Sequence, residues 1–345
     1  RAAAAAKAEG ETEIPVWYWE CTDADARRYL VADNEGARGA EDNEEVLARL
    51  LDDIRKADGN ILGTGWGNDE LNELLKGLEE DRDPSKGIDE PPPPDKEADS
   101  VLGQVYELGE HRLVVGDSQD PEVWTQLMGD EKADAMWTDP PYGVAYVGGT
   151  GMTIQNDDLD IDMLEKFLAG ALGLAFKYTD PGGAWYIAAP SGPPSVAFSK
   201  VLTELGTWRQ SLSWVKSSLV MGRSDYHYKH ELIYYGWHPG GSHHWYTDRK
   251  QTTVLEFDKP AKNPDHPTMK PVPLIVYCLE NSTEFGNIVI DCFGGSGSTL
   301  IACAVTHRKA RLIELDPVYA DVIRRRWTRW ARSLDMEPGS GSLDG

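Results

Sequence analysis

The sequence predicts an α/β protein: a doubly wound, largely parallel sheet with helices on both faces, preceded by a small, mostly helical region. Three observations lead there. From about residue 101, short apolar runs alternate with helical patterns. Several of those runs close on an acid followed by glycine or proline, the composition of a strand end that opens onto a ligand. The chain of 345 residues is 40% hydrophobic and 27% charged, which supplies apolar material for a large sheet core.

Taken in order, residues 1–82 open with a strand-like "EIPVWYW" and continue as helices. "TDADARRYLVADNEGA" has an acidic first turn, and "DNEEVLARLLDDIRKA" aligns Val46, Leu47, Leu50, Leu51 and Ile54 on one face. "GNILGTGWGNDELNELLKGL" reads as a glycine-rich turn and a short helix capped by Asn68 or Asp69. Residues 83–100 form a linker, with four successive prolines flanked by acids. Strands follow at 111–117, 133–139, 183–189, 211–216, 230–237, 287–291 and 310–315. Between them, Leu164, Phe167, Leu168, Ala171, Leu172 and Ala175 recur with a helical period, and further helices start at Ser298 and Val318. The α/β domain thus spans 101–335, and 336–345, "MEPGSGSLDG", reads as a flexible tail.

Composition excludes some classes. No run of about 18 apolar residues exists to span a membrane, and the opening residues lack the apolar core of a signal peptide. Four cysteines without a CxxC pair suit reduced thiols in a cytoplasmic protein. The net charge of −24 is concentrated in residues 1–140, at −22, whereas 210–275 is +2 and holds six of the eight histidines. A strongly acidic whole therefore leaves one basic, aromatic segment for a polyanionic partner. "HYKHE" and "SHHW" lack an acid or cysteine at ligand spacing, so no metal site is expected.

Two constellations carry chemistry. In "VIDCFGGSGSTLIACAV", residues 289–305, a β-rich run ends at Asp291, glycines fill the turn, and a helix begins near Ser298. Such a turn brings backbone close to a ligand at a helix start, and Glu314 ends the next strand where a carboxylate can take ribose hydroxyls. No Lys-Ser/Thr follows the glycines and the turn is not a strict GxGxxG, so the spacing fits a nucleoside better than a phosphate or a dinucleotide. In "MWTDPPYGV", Asp139 leaves a strand through Pro140, Pro141 and Tyr142. Two prolines stiffen the exit and remove two backbone donors. A carboxylate and the Pro140 carbonyl, held side by side, can accept both N–H protons of one exocyclic amine while Tyr142 stacks on the attached ring. The plain alternatives are a tight packing turn and a rigid capped turn.

With these residues, the chain resembles the amino-directed DNA methyltransferases. "DPPY" is similar to their catalytic motif, "DCFGGSGST" to their S-adenosylmethionine motif, and "HPTMKPVPL" (266–274) to the motif that completes the methionine pocket. Their order looks like the family's permuted β arrangement, over roughly 101–332. The resemblance implies a Rossmann-like S-adenosylmethionine-dependent methyltransferase sheet, with Asp139, Pro140, Pro141 and Tyr142 catalytic. It implies cofactor contacts from Asp291, Phe293, Gly294, Gly295, Ser296, Gly297, Ser298 and Glu314. Asp117 and Ser118 of "GDS" would lie by the adenine, and Thr268 and Lys270 by the methionine end. Cys292 stands where such motifs often carry proline, placing a thiol near the cofactor. The implied reaction is direct transfer to N6 of an adenine flipped out of double-stranded DNA, without a metal or a nucleophilic cysteine. Asp in the first motif position leans toward adenine; the cytosine-N4 enzymes more often carry serine there.

A target-recognition insert is expected at 217–265, with DNA contacts from Arg223, Tyr226, His227, Lys229, His230, Arg249 and Lys250. The opening of the chain resembles the latter part of a ParB/sulfiredoxin-like domain, in which Arg1 would close a Gly-His-x-Arg motif and the chain would begin inside that domain. Three other readings compete: a cytosine-N4 methyltransferase, a ParB-like partition protein with an inactive methylase half, and a nicotinamide-dependent oxidoreductase that the sequence gives no hydride-transfer site. A homodimer and a cognate restriction nuclease are the further partners such an enzyme would have.

Overall fold

Strand ends decide the architecture. The computed structural model describes residues 90–143, 159–220, 225–258 and 269–344, together with Leu51, Ile54, Arg55, Ile61, Thr64, Trp66, Gly67, Glu70 and Leu71. The chain divides at Asp83/Pro84 into two compact units. In the first, Leu51 and Ile54 lie on one helical face and are buried with Ile61 and Leu71, and Trp66 packs against them. The segment with Arg1 and the Gly-His-x-Arg reading lies outside the described residues.

The second unit is a nine-stranded sheet. Its strands are β1 (Val105–Leu108), β2 (His111–Val115), β3 (Ala133–Thr138), β4 (Thr179–Ala189), β5 (Trp208–Val220), β6 (Tyr228–Trp237), β7 (Val254–Glu256), β8 (Ile288–Asp291) and β9 (Lys309–Glu314). They lie in the order β1-β2-β9-β8-β3-β4-β6-β5-β7. β2, β9, β8, β3 and β4 are parallel neighbours, while β1 and β6 run antiparallel on either side of that core. From β3 the chain moves to β4, and from β8 it moves to β9 on the other side. The crevice outside the carboxyl ends of β3 and β8 is therefore the switch point where open α/β sheets hold ligands.

The helices described are α1 (Pro121–Met128), α2 (Ile161–Tyr178), α3 (Ser195–Glu204), α4 (Val272–Ser282), α5 (Ser298–Val305) and α6 (Pro317–Ser333). Alternation along the strands sorts them into two layers. Met136, Ile290 and Ile313 face a core shared with α1, α2 and α3; Trp137, Val289 and Leu312 face one shared with α4, α5 and α6. α2 shows the cause most plainly. Asp160 caps it by accepting from the Met163 N–H at 2.8 Å, and the expected stripe of Leu164, Phe167, Leu168, Ala171, Leu172 and Ala175 is buried. Truncating one such leucine to alanine costs about 2–5 kcal/mol.

Two expectations change. Residues 336–344 are not loose: Gly341 N–H donates to the Glu107 carbonyl at 2.8 Å, and Arg324 and Trp327 of α6 bond to carbonyls of Gly341 and Pro338. The end of the linker is anchored too, because Asp321 accepts from the backbone of Asp99 and Ser100 and Arg325 pairs with Asp95. Within the expected recognition insert, the described residues hold the end of β5, then β6 and β7, with no helix or strand over 238–253. No helix among the described residues is long and apolar enough to cross a membrane.

Candidate active site

β3 delivers Asp139 and β8 delivers Asp291 to adjacent positions, because Met136 pairs with Ile290. The two acids are treated very differently. Asp291 accepts from the Thr138 hydroxyl at 2.7 Å, the Thr299 hydroxyl at 2.6 Å and the Phe293 N–H at 3.1 Å. It ties the end of β3 to the glycine turn and to the start of α5. Burial pushes its carboxyl up to about 7, against those three donors, with the Asp139 charge adding to the rise.

Asp139 holds one ammonium and leaves one oxygen alone. Lys270 Nζ sits 2.6 Å from Oδ2, whereas Oδ1 is buried without a hydrogen-bond partner. An unpaired buried acceptor is costly to the fold. Burial raises the Asp139 carboxyl, and the nearby Glu231 charge adds to this while Lys270 opposes it. Behind Tyr142 the chain turns at Gly143, whose φ of +67° and approach to the Leu159 carbonyl suit only glycine.

The Tyr142 hydroxyl donates to Glu231 Oε2 at 3.0 Å, and its ring meets Phe198 edge-on. Glu231 also accepts from Lys216, and lies 3.2 Å from Lys270. Burial alone would raise its carboxyl, but the Lys270 and Lys216 ammoniums carry it down to about 2. The same two acids, Asp139 and Glu231, hold Lys270 charged against its burial. Sequence reasoning missed Lys216 and Glu231. Their signal was a lone charge ending "SLSWVK" and one near the start of "HELIYYGW", at the same end of the antiparallel β5–β6 pair, whose β6 lies beside β4.

The glycine turn is braced for close approach by a ligand. Gly297 precedes α5 in the left-handed region, at φ +81°, and Gly294 N–H bonds to the Ile313 carbonyl at 2.8 Å. Glu314 accepts from Gly295 N–H at 2.6 Å and Asp316 N–H at 2.8 Å, so its carboxylate stands beside the turn with further lone pairs available. Burial pushes it up to about 7. Arg326 reaches from α6 to the Ser296 carbonyl at 2.9 Å and the Ser298 hydroxyl at 3.3 Å, a brace that the sequence did not reveal. Phe293 packs on Phe167 with ring centroids 5.6 Å apart.

Asp117 is exposed just past β2, next to β9, while Ser118 is buried with its carbonyl bonded to the Trp124 indole. Lys270, expected by the methionine end of a cofactor, puts its ammonium on Asp139. Thr268 and Arg223 lie outside the described residues. Tyr226, His227, Lys229 and His230 are exposed in the turn before β6 and at its start, at the carboxyl end of the parallel strands. Arg249 and Lys250 are exposed at the opposite end. They follow Trp237, which pairs with Ala184, and Tyr246, which bonds to the Asn281 carbonyl at the end of α4. The structure does not bring them to Tyr226, His227, Lys229 and His230. Cys278, Cys292 and Cys303 are buried, and burial raises their thiols, which leaves Cys292 unreactive beside Thr138. Among the described residues no cluster of three ligating groups suits a metal.

The Escherichia coli (strain K12) protein named "Putative methylase YubD" is 27% identical over 225 residues, covering 61% of this chain and 88% of its own. The crystal structure of PvuII DNA methyltransferase (cytosine-N4-specific) shares the fold, with a TM-score of 0.52 and 15% identity over 72% of this chain and all of that one. An M1.HpyAVI–SAM complex aligns at a TM-score of 0.48 and 21% identity, over 62% of this chain and 97% of that one. Residues 133–325, more than half of the chain and inclusive of Asp139 and the glycine turn, match the family model described as DNA methylase; the chain belongs to that family.

Proposed function

We propose that this protein methylates DNA at an exocyclic amine, N6 of adenine, with S-adenosylmethionine as donor. The observation that carries the reading is the partnerless buried Oδ1 of Asp139 beside the Tyr142 ring, at the sheet's switch point. An amine donates what Oδ1 lacks. The glycine turn, the start of α5 and the Glu314 carboxylate fit a nucleoside-bearing cofactor: backbone amides for its polar groups and an acid for its ribose. Asp117, Phe293, Gly294, Gly295 and Gly297 would line it, with Ser296 and Ser298 completing the turn.

When bound, S-adenosylmethionine supplies an electrophilic methyl group. The chain's own residues do the rest by positioning. Asp139 and the Pro140 carbonyl accept the two N–H protons of the amine, drawing its lone pair out of conjugation and fixing its direction. Pro141 keeps that pair of acceptors rigid, and Tyr142 stacks on the base. A paired base cannot reach this crevice, so it must leave the duplex. Tyr226, His227, Lys229 and His230 flank the same end and suit contacts to the displaced strand and backbone.

The first-position acid favours adenine. Cytosine N4 is the second reading, because the PvuII enzyme carries that specificity on the same fold. The test is incubation of the purified chain with S-adenosylmethionine and unmethylated DNA of mixed sequence, followed by mass spectrometry of the released nucleosides. N6-methyladenine is expected. N4-methylcytosine would move the assignment to the second reading, and no modified nucleoside under varied salt would overturn both.

A further inference from the structure

One glutamate links the two side chains proposed to meet the target base. β6 runs antiparallel to β4 and pairs Leu232 with Ala189, the last residue of β4, so Glu231 stands just beyond that strand's carboxyl end. Thr138 pairs with Ile187 across β3 and β4, which brings Asp139 to the same end. Glu231 Oε2 accepts from the Tyr142 hydroxyl at 3.0 Å and lies 3.2 Å from Lys270 Nζ. That same nitrogen is 2.6 Å from Asp139 Oδ2. A single carboxylate oxygen therefore joins the ring proposed to stack on the base to the ammonium that grips the acid proposed to hold its amine.

Each bond in this row restrains a different group. Lys270 holds Asp139 by Oδ2 alone, which fixes the carboxylate and leaves Oδ1 as the oxygen without a partner. The Tyr142 ring is restrained at both ends: its hydroxyl is on Glu231, and its edge contact is with Phe198. Lys216, itself buried, pairs with the other Glu231 oxygen, so this carboxylate has an ammonium on each side. Buried ion pairs are weak contributors to net stability, because desolvation offsets their attraction. What a fully bonded buried row does supply is rigidity.

We infer that Glu231 is a positioning residue for the transfer, fixing the Tyr142 ring through its hydroxyl and the Asp139 carboxylate through Lys270, so that the ring and Oδ1 keep one mutual geometry. This rests on the amine-methylation reading above. It gives the Tyr142 hydroxyl a purpose that stacking does not need, since a phenylalanine ring would stack as well. Lys216 of β5 serves the same end by holding Glu231 from its other oxygen.

The test is steady-state methylation of unmethylated DNA by the full chain at saturating S-adenosylmethionine, run as a double-variant cycle. Tyr142→Phe keeps the ring and removes the hydroxyl that bonds to Glu231; kcat is expected to fall about 3-fold or more. Glu231→Gln is expected to lower kcat about 10-fold or more, while cofactor affinity, measured by calorimetry, stays within about 2-fold. In the Gln background, Tyr142→Phe should cost less than about 1.5-fold further, because both changes act on one bond. A purely structural role for Glu231 predicts that the two losses multiply. Should the Gln variant not fold, Glu231→Asp takes its place, since it keeps a charge for both lysines while drawing back from the hydroxyl. Wild-type kcat in either single variant, or losses that multiply, would overturn the inference. Absence of any transfer by the wild-type chain would instead overturn the function on which it rests.

Discussion

The two ends of the sheet carry similar residue types and use them in opposite ways. At the carboxyl end, Lys216, Lys270, Asp291 and the carboxylate oxygen Oδ1 of Asp139 are buried, and the ionic groups are arranged in contact. At the amino end, His243 stacks on Trp237, and Lys250 pairs with Asp248 at 3.0 Å while remaining 88% exposed. A buried cation there, Arg308, bonds to Thr283 and to the Thr306 carbonyl, as a structural arginine does. Exposed pairs such as Lys250–Asp248 contribute little to stability. A buried network that leaves one acceptor open costs stability, and it is retained where chemistry needs it. Residue type alone does not mark a site; burial with incomplete pairing does.

The strongest way to break this contrast is at Asp139. Asp139→Ala should lower methyl transfer by on the order of 10³-fold or more, since it removes the acceptor that orients the amine. Cofactor affinity should change by no more than a few-fold, because the glycine turn, Glu314 and Asp291 are untouched. Single-turnover assays and calorimetry on the same preparation separate the two effects. Transfer at the wild-type rate would show that the orphaned oxygen has no part in the reaction.

A smaller effect separates the catalytic acid from its structural neighbour. Asp291 is held at about 7 against an ordinary value of 3.8, so its folded form binds a proton that the unfolded chain has released. A raised carboxyl contributes stability at low pH, and this is lost as pH climbs from the unfolded value toward about 7. Asp291→Asn removes that dependence while its amide still serves both threonine hydroxyls. The stability advantage of wild type over this variant should therefore shrink between about pH 4 and 7, by at most about 1.4 kcal/mol per pH unit. Denaturant titrations at several pH values read it directly. The difference isolates Asp291 from Glu314, which titrates in the same direction, and from His111, which burial lowers to about 3. A constant gap across that range would mean the Asp291 carboxyl is not raised.

Legibility in the sequence followed the same division. β2, β3, β8 and β9 were readable because apolar runs closing on an acid and glycine or proline leave little choice of where a strand ends. β1 and β7 escaped: four and three residues are too short to show a period. Asp139, Tyr142 and the glycine turn could be read because each is a local pattern. Lys216 and Glu231 could not, since their pairing depends on the register of β5 against β6 and on β6 lying beside β4. Arg249 and Lys250 were grouped with Lys229 by composition, and only the direction of β6 shows that they leave the sheet at its other end.

That separation yields the smallest predicted effect and the most informative one for DNA binding. Each phosphate contact adds about one unit to the salt dependence of binding, and each stacked base contributes about 1–3 kcal/mol. Residues at the catalytic end can reach a strand whose base lies in the crevice, while those at the amino end cannot without the duplex passing around the sheet. Tyr226→Ala with Lys229→Ala should weaken DNA binding by about 5-fold or more and lower the salt slope by about one. Arg249→Ala with Lys250→Ala should change both by less than the scatter of the measurement, within about 2-fold, because these side chains are exposed away from the crevice. Titrations at two salt concentrations with the same unmethylated duplex compare the pairs. If the amino-end variant loses affinity and salt slope as much as the other, DNA wraps the sheet edge and the two ends are a single interface; if it alone loses them, the basic surface that holds the duplex lies opposite the carboxylates that act on it.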